Sequence, residues 1–444
     1  MTRNAVFVCL NPVRFPQLQY IPLAAVICLP FPVKGEGWEP SPEVVRHWQE
    51  EVRPDFIYTE DAVPDYSLPP LLEAVDGTPI RSRDAWLANR KALLNLFREH
   101  VYGFRPGPPE AMEVTLLERD PEAMEGAVTL KRIRLTCLQD GEAVAFNVVV
   151  FVPNDREGPV PLFLLLNNRA PEMADPSRRQ KSPFWPAEAV LERGYGIAAL
   201  QNEAVAPDDA AAFRKGILSL FQKATDARSP SDAGAIAAWG WGASRVMDYF
   251  ELDPDVDASR VALLGHSRGG KAALWAGAED ERFSFVISNN SGCGGAALHR
   301  RQYGETLAWI NAAFPHWFCL NFHQFGGEKV SELPVDQHQL LALIAPRALY
   351  VASADEDLWT DPRGEFLSLA HASRVYALWG YETIDPRAMP ALGETRQTPR
   401  QAYHIRPGGH DLILADWNRY LDFAETLFDP PNEKALPEGQ GFIR

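Results

Sequence analysis

Ser267 stands in Gly265-His266-Ser267-Arg268-Gly269, within the run VALLGHSRGGKAALWAGAED that covers residues 261–280. The pattern G-x-S-x-G describes a nucleophile elbow, a strained turn from strand to helix that lifts a serine hydroxyl to the top of a sheet. Its neighbours must be small so that strand and helix can pack closely. The context fits, because an apolar, β-rich run precedes the motif and an Ala-rich helical run follows it. A serine hydroxyl is a poor nucleophile at neutral pH and needs a base, usually histidine, oriented by a carboxylate. On folds that carry this elbow the chain order is serine, acid, histidine. The histidines after Ser267 are His299, His316, His323, His338, His371, His404 and His410. His410 lies in RPGGHDLILADWNRYLDFA, a glycine-containing loop running into a closing helix, which is where the base belongs. His404, in AYHIRPGG, reads instead as a packed residue of the final strand. LYVASADEDLWTDP offers Asp355, Glu356, Asp357 and Asp361 as the acid. Asp357 is the first choice and Glu356 the second, and the others read as solvated loop residues.

These groups can meet only if the chain supplies a sheet to carry them. PLFLLLNN, GYGIAALQ, SRVALLGHS, RFSFVISNNSG and PRALYVASADEDLW are apolar runs of the kind expected for parallel strands buried on both faces. Helical stretches such as AGAIAAWGWGASRVMDYF separate them, and strand alternating with helix predicts a doubly wound α/β sheet. Before Pro159 the pattern differs. AMEVTLLERD, VTLKRIRLTCL and EAVAFNVVVFVP alternate as antiparallel strands. SRDAWLANRKALLNLFREHVYGFRP has helical spacing with a stop at Tyr102-Gly103. Residues 34–75, rich in Pro, Glu and Asp, read as an extended segment hugging the surface.

A chain of 444 residues with 46% hydrophobic and 23% charged residues has the composition of a globular protein with a sizeable core. The formal net charge of −16 argues against nucleic acid or an anionic membrane as partner. It leaves room for an acidic substrate held by one or two local cations. The five cysteines, Cys9, Cys28, Cys137, Cys293 and Cys319, form no C-x-x-C pair and give no metal signature. Cys293, between glycines, reads as a small buried hydrophobe. Residues 1–33 contain Arg3, Arg14 and the apolar run YIPLAAVICLPFPV but no acidic residue, which reads as a secretory leader too short to span a membrane. Its removal would leave three cysteines and at most one disulfide.

GHSRGGKAALWAGA, NNSGCGG, HRRQYGE, PHWFCLNF, LLALIAPRALYVASADEDLWTDPRGEF and RPGGHD, in that order, resemble the bacterial branch of the glucuronoyl esterases, carbohydrate esterase family fifteen. The likeness runs from about residue 80 to residue 425. It implies an α/β-hydrolase fold, a three-layer αβα sandwich with a mostly parallel sheet and an antiparallel N-terminal part. It also implies cleavage of the ester between 4-O-methyl-glucuronic acid on xylan and lignin alcohols, without metal or cofactor. By the same resemblance Ser267 is the nucleophile and His410 the base, and Arg268 supports the oxyanion through its backbone N–H and its side chain. Lys271 and Glu305 bind sugar hydroxyls, while Trp359 lies along the sugar and donates from its indole. Trp317, in PHWF, is read as core. The fungal members carry their acid as a glutamate before the Ser-Gly of NNSG, and here Asn290 occupies that position. The acid must then come from the later loop, where Asp357 precedes Trp359 by two residues.

The expected organisation is a leader (1–33), an N-terminal extension and helix packed on the catalytic domain (34–110), an α/β-hydrolase domain (111–430) and a tail (431–444). The expected protein is a secreted or periplasmic monomeric serine esterase whose partner is glucuronoxylan–lignin. Two alternatives stand beside it. A broader polysaccharide acetyl or methyl carboxylesterase would have no need of Lys271, Glu305 and Trp359. A silent carbohydrate-binding module on a hydrolase scaffold would have no need of Ser267 and His410.

Overall fold

The segment Val160–Asn167 is buried along its whole length. Its side chains alternate between two cores, with Leu162, Leu164 and Leu166 joining one and Phe163 and Leu165 the other. A period of two with both faces apolar is what a strand sandwiched between helical layers must show. The computed structural model describes residues 37–222 and 226–428, all within one unit, Val33–Arg444. The leader, Cys9, Cys28 and the tail lie outside the described residues.

The strands are β1 (Ala111–Ala123), β2 (Val128–Gln139), β3 (Glu142–Pro153), β4 (Val160–Asn167), β5 (Gly196–Gln201), β6 (Val256–His266), β7 (Phe285–Asn289), β8 (Ala348–Ala354), β9 (Thr395–Gln397) and β10 (Gln401–Arg406). They form one ten-stranded sheet in the order β1-β2-β3-β5-β4-β6-β7-β8-β10-β9. β1 to β3 pair antiparallel, and β3 meets β5 antiparallel. From β5 through β4, β6, β7 and β8 to β10 every pairing is parallel, and short β9 closes the edge antiparallel. The antiparallel and parallel halves fall where the sequence patterns change.

The helices are α1 (Pro42–His47), α2 (Arg83–Phe97), α3 (Ala187–Glu192), α4 (Asn202–Val205), α5 (Ala235–Phe250), α6 (Arg268–Glu279), α7 (Leu307–Ala313), α8 (Gln337–Ala342), α9 (Pro362–Tyr376) and α10 (Leu414–Phe428). α2, α5, α6, α8 and α9 place residues such as Trp86, Ile236, Leu274, Leu340 and Phe366 in the first core. α3 and α10 place Val190, Trp417 and Tyr420 in the second. The result is the three-layer αβα arrangement of the α/β-hydrolase fold. A sheet wound this way opens its crevice at the carboxyl ends of its parallel strands. There Ser267 follows β6, Asn290 follows β7, Asp357 follows β8 and His410 follows β10.

Residues 34–75 depart from the extended reading. Ser41 caps α1 by accepting from the Val44 amide at 3.2 Å, with Pro42 at the first turn, and a π-helical turn follows over Trp48–Val52. A serine followed by proline is a helix-start signal that the surrounding Pro-rich composition hides. Cys137, Cys293 and Cys319 are all buried free thiols, so the described residues contain no disulfide.

Phe163 is fully buried against Tyr195, Phe285 and Trp417. Phe163→Ala should cost about 3–5 kcal/mol in urea unfolding. Leu116→Ala, at a position 54% exposed on β1, should change stability by less than about 0.5 kcal/mol.

Candidate active site

Ser267 takes φ +57° and ψ −126°, a conformation that L-residues rarely adopt. The surroundings impose it. A Cβ on Gly265 would lie 2.0 Å from the Gly269 carbonyl oxygen, and one on Gly269 would lie 2.8 Å from that of Leu166. The two glycines let α6 start directly above β6, and Ser267, squeezed between them, turns its hydroxyl outward. The Ser267 amide donates to the Asn289 carbonyl at 2.9 Å, tying the turn to β7.

His410 Nε2 and Ser267 Oγ are 2.9 Å apart, and His410 Nδ1 and Asp357 Oδ2 are 2.6 Å apart. The imidazole is open to solvent at 38% exposure while the carboxylate is 2% exposed. Asp357 Oδ2 also accepts from Asn290 Nδ2 at 2.8 Å and Thr360 Oγ1 at 3.1 Å. Burial pushes the Asp357 carboxyl up, but the charge of His410 and these hydrogen bonds outweigh it and hold the group below the usual aspartate value. Asn290, at φ +45°, thus braces the Asp357 carboxylate.

The other acids of the loop have different work. Asp355 accepts from the Gly408 amide at 2.8 Å and joins the β8 and β10 loops. Glu356 is exposed, and its carbonyl accepts from Trp48 Nε1 at 2.8 Å. Asp361 caps α9 through the Gly364 amide at 2.9 Å and pairs with Arg301 at 2.8 Å. The His410 loop is pinned by Arg406. Its Nε reaches both Asp416 oxygens at 3.0 and 2.9 Å, and its Nη2 donates to the Asp411 carbonyl at 2.6 Å. His404 is buried on β10 between Tyr350 and Asp416.

Arg268 opens α6, so its amide is among the N–H groups that a helix cannot satisfy internally. Its guanidinium binds Asp208 through Nη1 and lies 4.8 Å over the Trp317 ring and 5.4 Å over Phe314. Its Nε is buried without a hydrogen-bond partner among the described residues. Asp208 Oδ1 accepts from His316 Nε2 at 2.8 Å and Trp317 Nε1 at 2.7 Å. Burial raises the Asp208 carboxyl, yet those two bonds and the charge of Arg268 bring it down to about 2. Trp317 is therefore buried, as read from the sequence, and also serves as a floor for Arg268.

Lys271 is buried and spends its ammonium on the carbonyls of Ser291 (2.6 Å) and Cys293 and on Glu305 Oε2 at 3.2 Å. The Glu305 amide donates to the Trp359 carbonyl at 2.9 Å. Trp359 is half-buried, parallel to Trp48 (ring centroids 6.2 Å apart, 6°) and edge-on to Trp309 at 4.8 Å. The three residues expected at the sugar thus adjoin one another, but all of Lys271's donors are engaged within the protein.

Sequence reasoning passed over several supports. His266 is buried, with Nδ1 against Asn289 Oδ1 at 2.7 Å and Nε2 facing Arg169 Nη2 at 3.3 Å. Burial first, and then the nearby charges of His410 and Arg169, push His266 well below the usual histidine value. Arg169 also reaches the His410 carbonyl at 3.4 Å. Glu365 lies beneath the acid. It accepts from the amides of Ser291 (2.8 Å) and Gly292 (2.9 Å) and from Ser353 Oγ (2.6 Å), which links the β7 and β8 loops. Nothing local in PRGEF distinguishes that glutamate from a surface one. Among the described residues no His, Cys, Asp or Glu side chains cluster in a group of three or more that could hold a metal ion.

A family model described as "Glucuronyl esterase, fungi" matches residues 135–380. A carbohydrate esterase from an unknown prokaryotic organism is 37% identical over 88% of this chain and 96% of its own. The structure of a glucuronoyl esterase from Solibacter usitatus superposes with TM-score 0.78 at 39% identity, covering 83% of this chain and all of that one. A promiscuous esterase of carbohydrate esterase family 15 from a marine bacterial metagenome gives TM-score 0.75 at 37% identity, covering 83% of this chain and 99% of its own.

Burial, opposed by hydrogen bonds from Ser353, Gly292 and Ser291, pushes Glu365 up to about 7. The folded protein therefore holds a proton that the unfolded chain releases near the ordinary glutamate value of about 4.3. Glu365's own contribution to stability should fall as pH rises from about 5 to 7, by at most about 1.4 kcal/mol per pH unit. In urea unfolding across the range, the stability of wild type minus that of Glu365→Gln should fall as pH rises, because the variant lacks this contribution.

Proposed function

This chain belongs to the glucuronoyl esterase family, carbohydrate esterase family fifteen, and on that premise we propose that it hydrolyses esters of 4-O-methyl-glucuronic acid on xylan through an acyl-serine intermediate. The observation that carries the esterase chemistry is the hydrogen-bonded path from Ser267 Oγ through His410 to Asp357, at 2.9 and 2.6 Å. The choice of acyl group rests on kinship, since relatives at 26% identity are named 4-O-methyl-glucuronoyl methylesterases.

In this reading Asp357, kept ionised, holds the proton of His410 on Nδ1, which leaves Nε2 free to accept from Ser267. The serine oxygen attacks the uronoyl carbonyl as its proton passes to Nε2. The carbonyl oxygen becomes an oxyanion, and the Arg268 amide and guanidinium stabilise it. Collapse of the tetrahedral intermediate expels the alcohol, which takes the proton from His410. Water then enters, His410 removes its proton, and the second collapse frees Ser267 and a uronate carboxylate. Asp208, fixed by His316 and Trp317, keeps the guanidinium from swinging away. Glu305 offers its carboxylate to sugar hydroxyls, held in place by Lys271, whose donors are spent within the protein, with Trp359 beside them. The enzyme is exported, because its polymeric substrate lies outside the cell.

A second reading is a broader carboxylesterase, favoured by one observation: a structural relative at 37% identity is described as promiscuous. Benzyl glucuronate and p-nitrophenyl acetate separate the two. The first reading expects a strong preference for the glucuronate, and the second comparable rates on both. Ser267→Ala should lower turnover on either substrate by several orders of magnitude, and retained activity would refute the nucleophile. Asp357→Asn should reduce kcat by at least about a hundredfold while Glu356→Gln stays near wild type. The reverse ranking would move the acid to Glu356.

A further inference from the structure

The residues before α2 reach the candidate site at several points. Trp48 Nε1 donates to the Glu356 carbonyl, one residue before Asp357, at 2.8 Å. The Gly304 amide donates to the Ile57 carbonyl at 2.9 Å, and Tyr303 Oη donates to the Tyr58 carbonyl at 2.9 Å. These bonds seat the N-terminal segment against both loops that carry the sugar-site residues, 303–305 and 356–360.

At the centre of this contact is Arg53. Its guanidinium carbon lies 4.4 Å from the ring centroid of Trp309 and 4.4 Å from that of Trp359. Trp48 and Phe56 complete the group, parallel and edge-on to Trp359. All five residues are half-buried rather than sealed. The guanidinium has no hydrogen-bond or ion-pair partner among the described residues, so ring faces alone hold it. A fork of five N–H donors held by indole faces beside a sugar site is an incomplete binding arrangement. Indole faces suit the C–H face of a pyranose, and the fork suits adjacent hydroxyls or a carboxylate. The cluster adjoins Glu305 through the Trp359 carbonyl, so it extends the acyl side of the site.

We propose that Arg53, with Trp48 and Trp309, forms a saccharide subsite that receives the glycan unit bearing the uronate. The proposal rests on the glucuronoyl reading above and adds to it recognition of the carrier chain.

The test compares kcat/KM for benzyl glucuronate with that for the benzyl ester of glucuronic acid carried on a xylo-oligosaccharide, in wild type, Arg53→Ala, Arg53→Gln and Arg53→Lys. Melting temperatures are recorded for each protein, and the glutamine variant serves if alanine does not fold. Wild type should prefer the oligosaccharide ester. Arg53→Ala or Arg53→Gln should lower that preference at least about fivefold, through KM more than kcat, and Arg53→Lys should restore part of it. An unchanged preference overturns the proposal. So does a change that follows the alcohol, seen when methyl and benzyl esters are compared, because the cluster would then serve the leaving group. If neither ester is cleaved, the glucuronoyl reading fails by itself. Calorimetric titration with the unesterified aldouronic oligosaccharide then decides the subsite: tighter binding to wild type than to Arg53→Gln supports it, and no difference overturns it.

Discussion

β6 and α6 approach so closely at the elbow that no side chain fits at Gly265 or Gly269. Everything chemical at this end of the sheet is arranged around that contact. It forces Ser267 into a conformation that only strong surrounding structure can hold. That structure is a buried sheet with one apolar core on each face and a turn tied to β7 by the Ser267 amide. The same contact makes Arg268 the first residue of α6, leaving its amide free beside the hydroxyl. Strain and a free donor therefore arise from one packing constraint.

Around the elbow, loops from neighbouring strands are tied to one another rather than to solvent. Asp355 joins the β8 loop to the β10 loop, Glu365 joins the β7 loop to the end of β8, and Arg406 anchors the stretch before His410. Each tie is a hydrogen bond made by an acidic or cationic side chain, fully buried at Glu365 and partly buried at Asp355 and Arg406, a kind that is strong when satisfied and costly when broken. Such ties hold an exposed imidazole within hydrogen-bonding distance of both proposed partners. The protein's net charge of −16 does not set the local field there. Arg268 and Lys271 are placed at the elbow, each already paired with a carboxylate.

Asn290, Glu365 and Trp317 each support the candidate site from a buried position. Asn290 donates to the Asp357 carboxylate. A second buried carboxyl, Glu365, lies close enough to Asp357 to feel its charge. Trp317 shows that a residue can be core and site at once, since its ring is buried while its face supports Arg268 and its indole N–H fixes Asp208.

By itself the sequence determined what depends on local pattern. The apolar runs with period two specify strands, the change of pattern near Pro159 separates antiparallel from parallel pairing, and the elbow follows from small residues on either side of a serine. His410 was legible because a glycine loop and an amphipathic helix flank it. Only the tertiary structure decided which of four acids in one loop meets His410, because Asp361, equally buried, turns to Arg301 while Glu356, one residue before Asp357, faces solvent. It likewise decided that Asp208, 59 residues before Ser267 in the chain, would clasp Arg268. It also decided that Trp48 and Arg53 would stand beside Trp359, more than 300 residues later. Contacts at such separations leave no periodicity in the chain, since they are set by how the layers pack and not by the residues on either side.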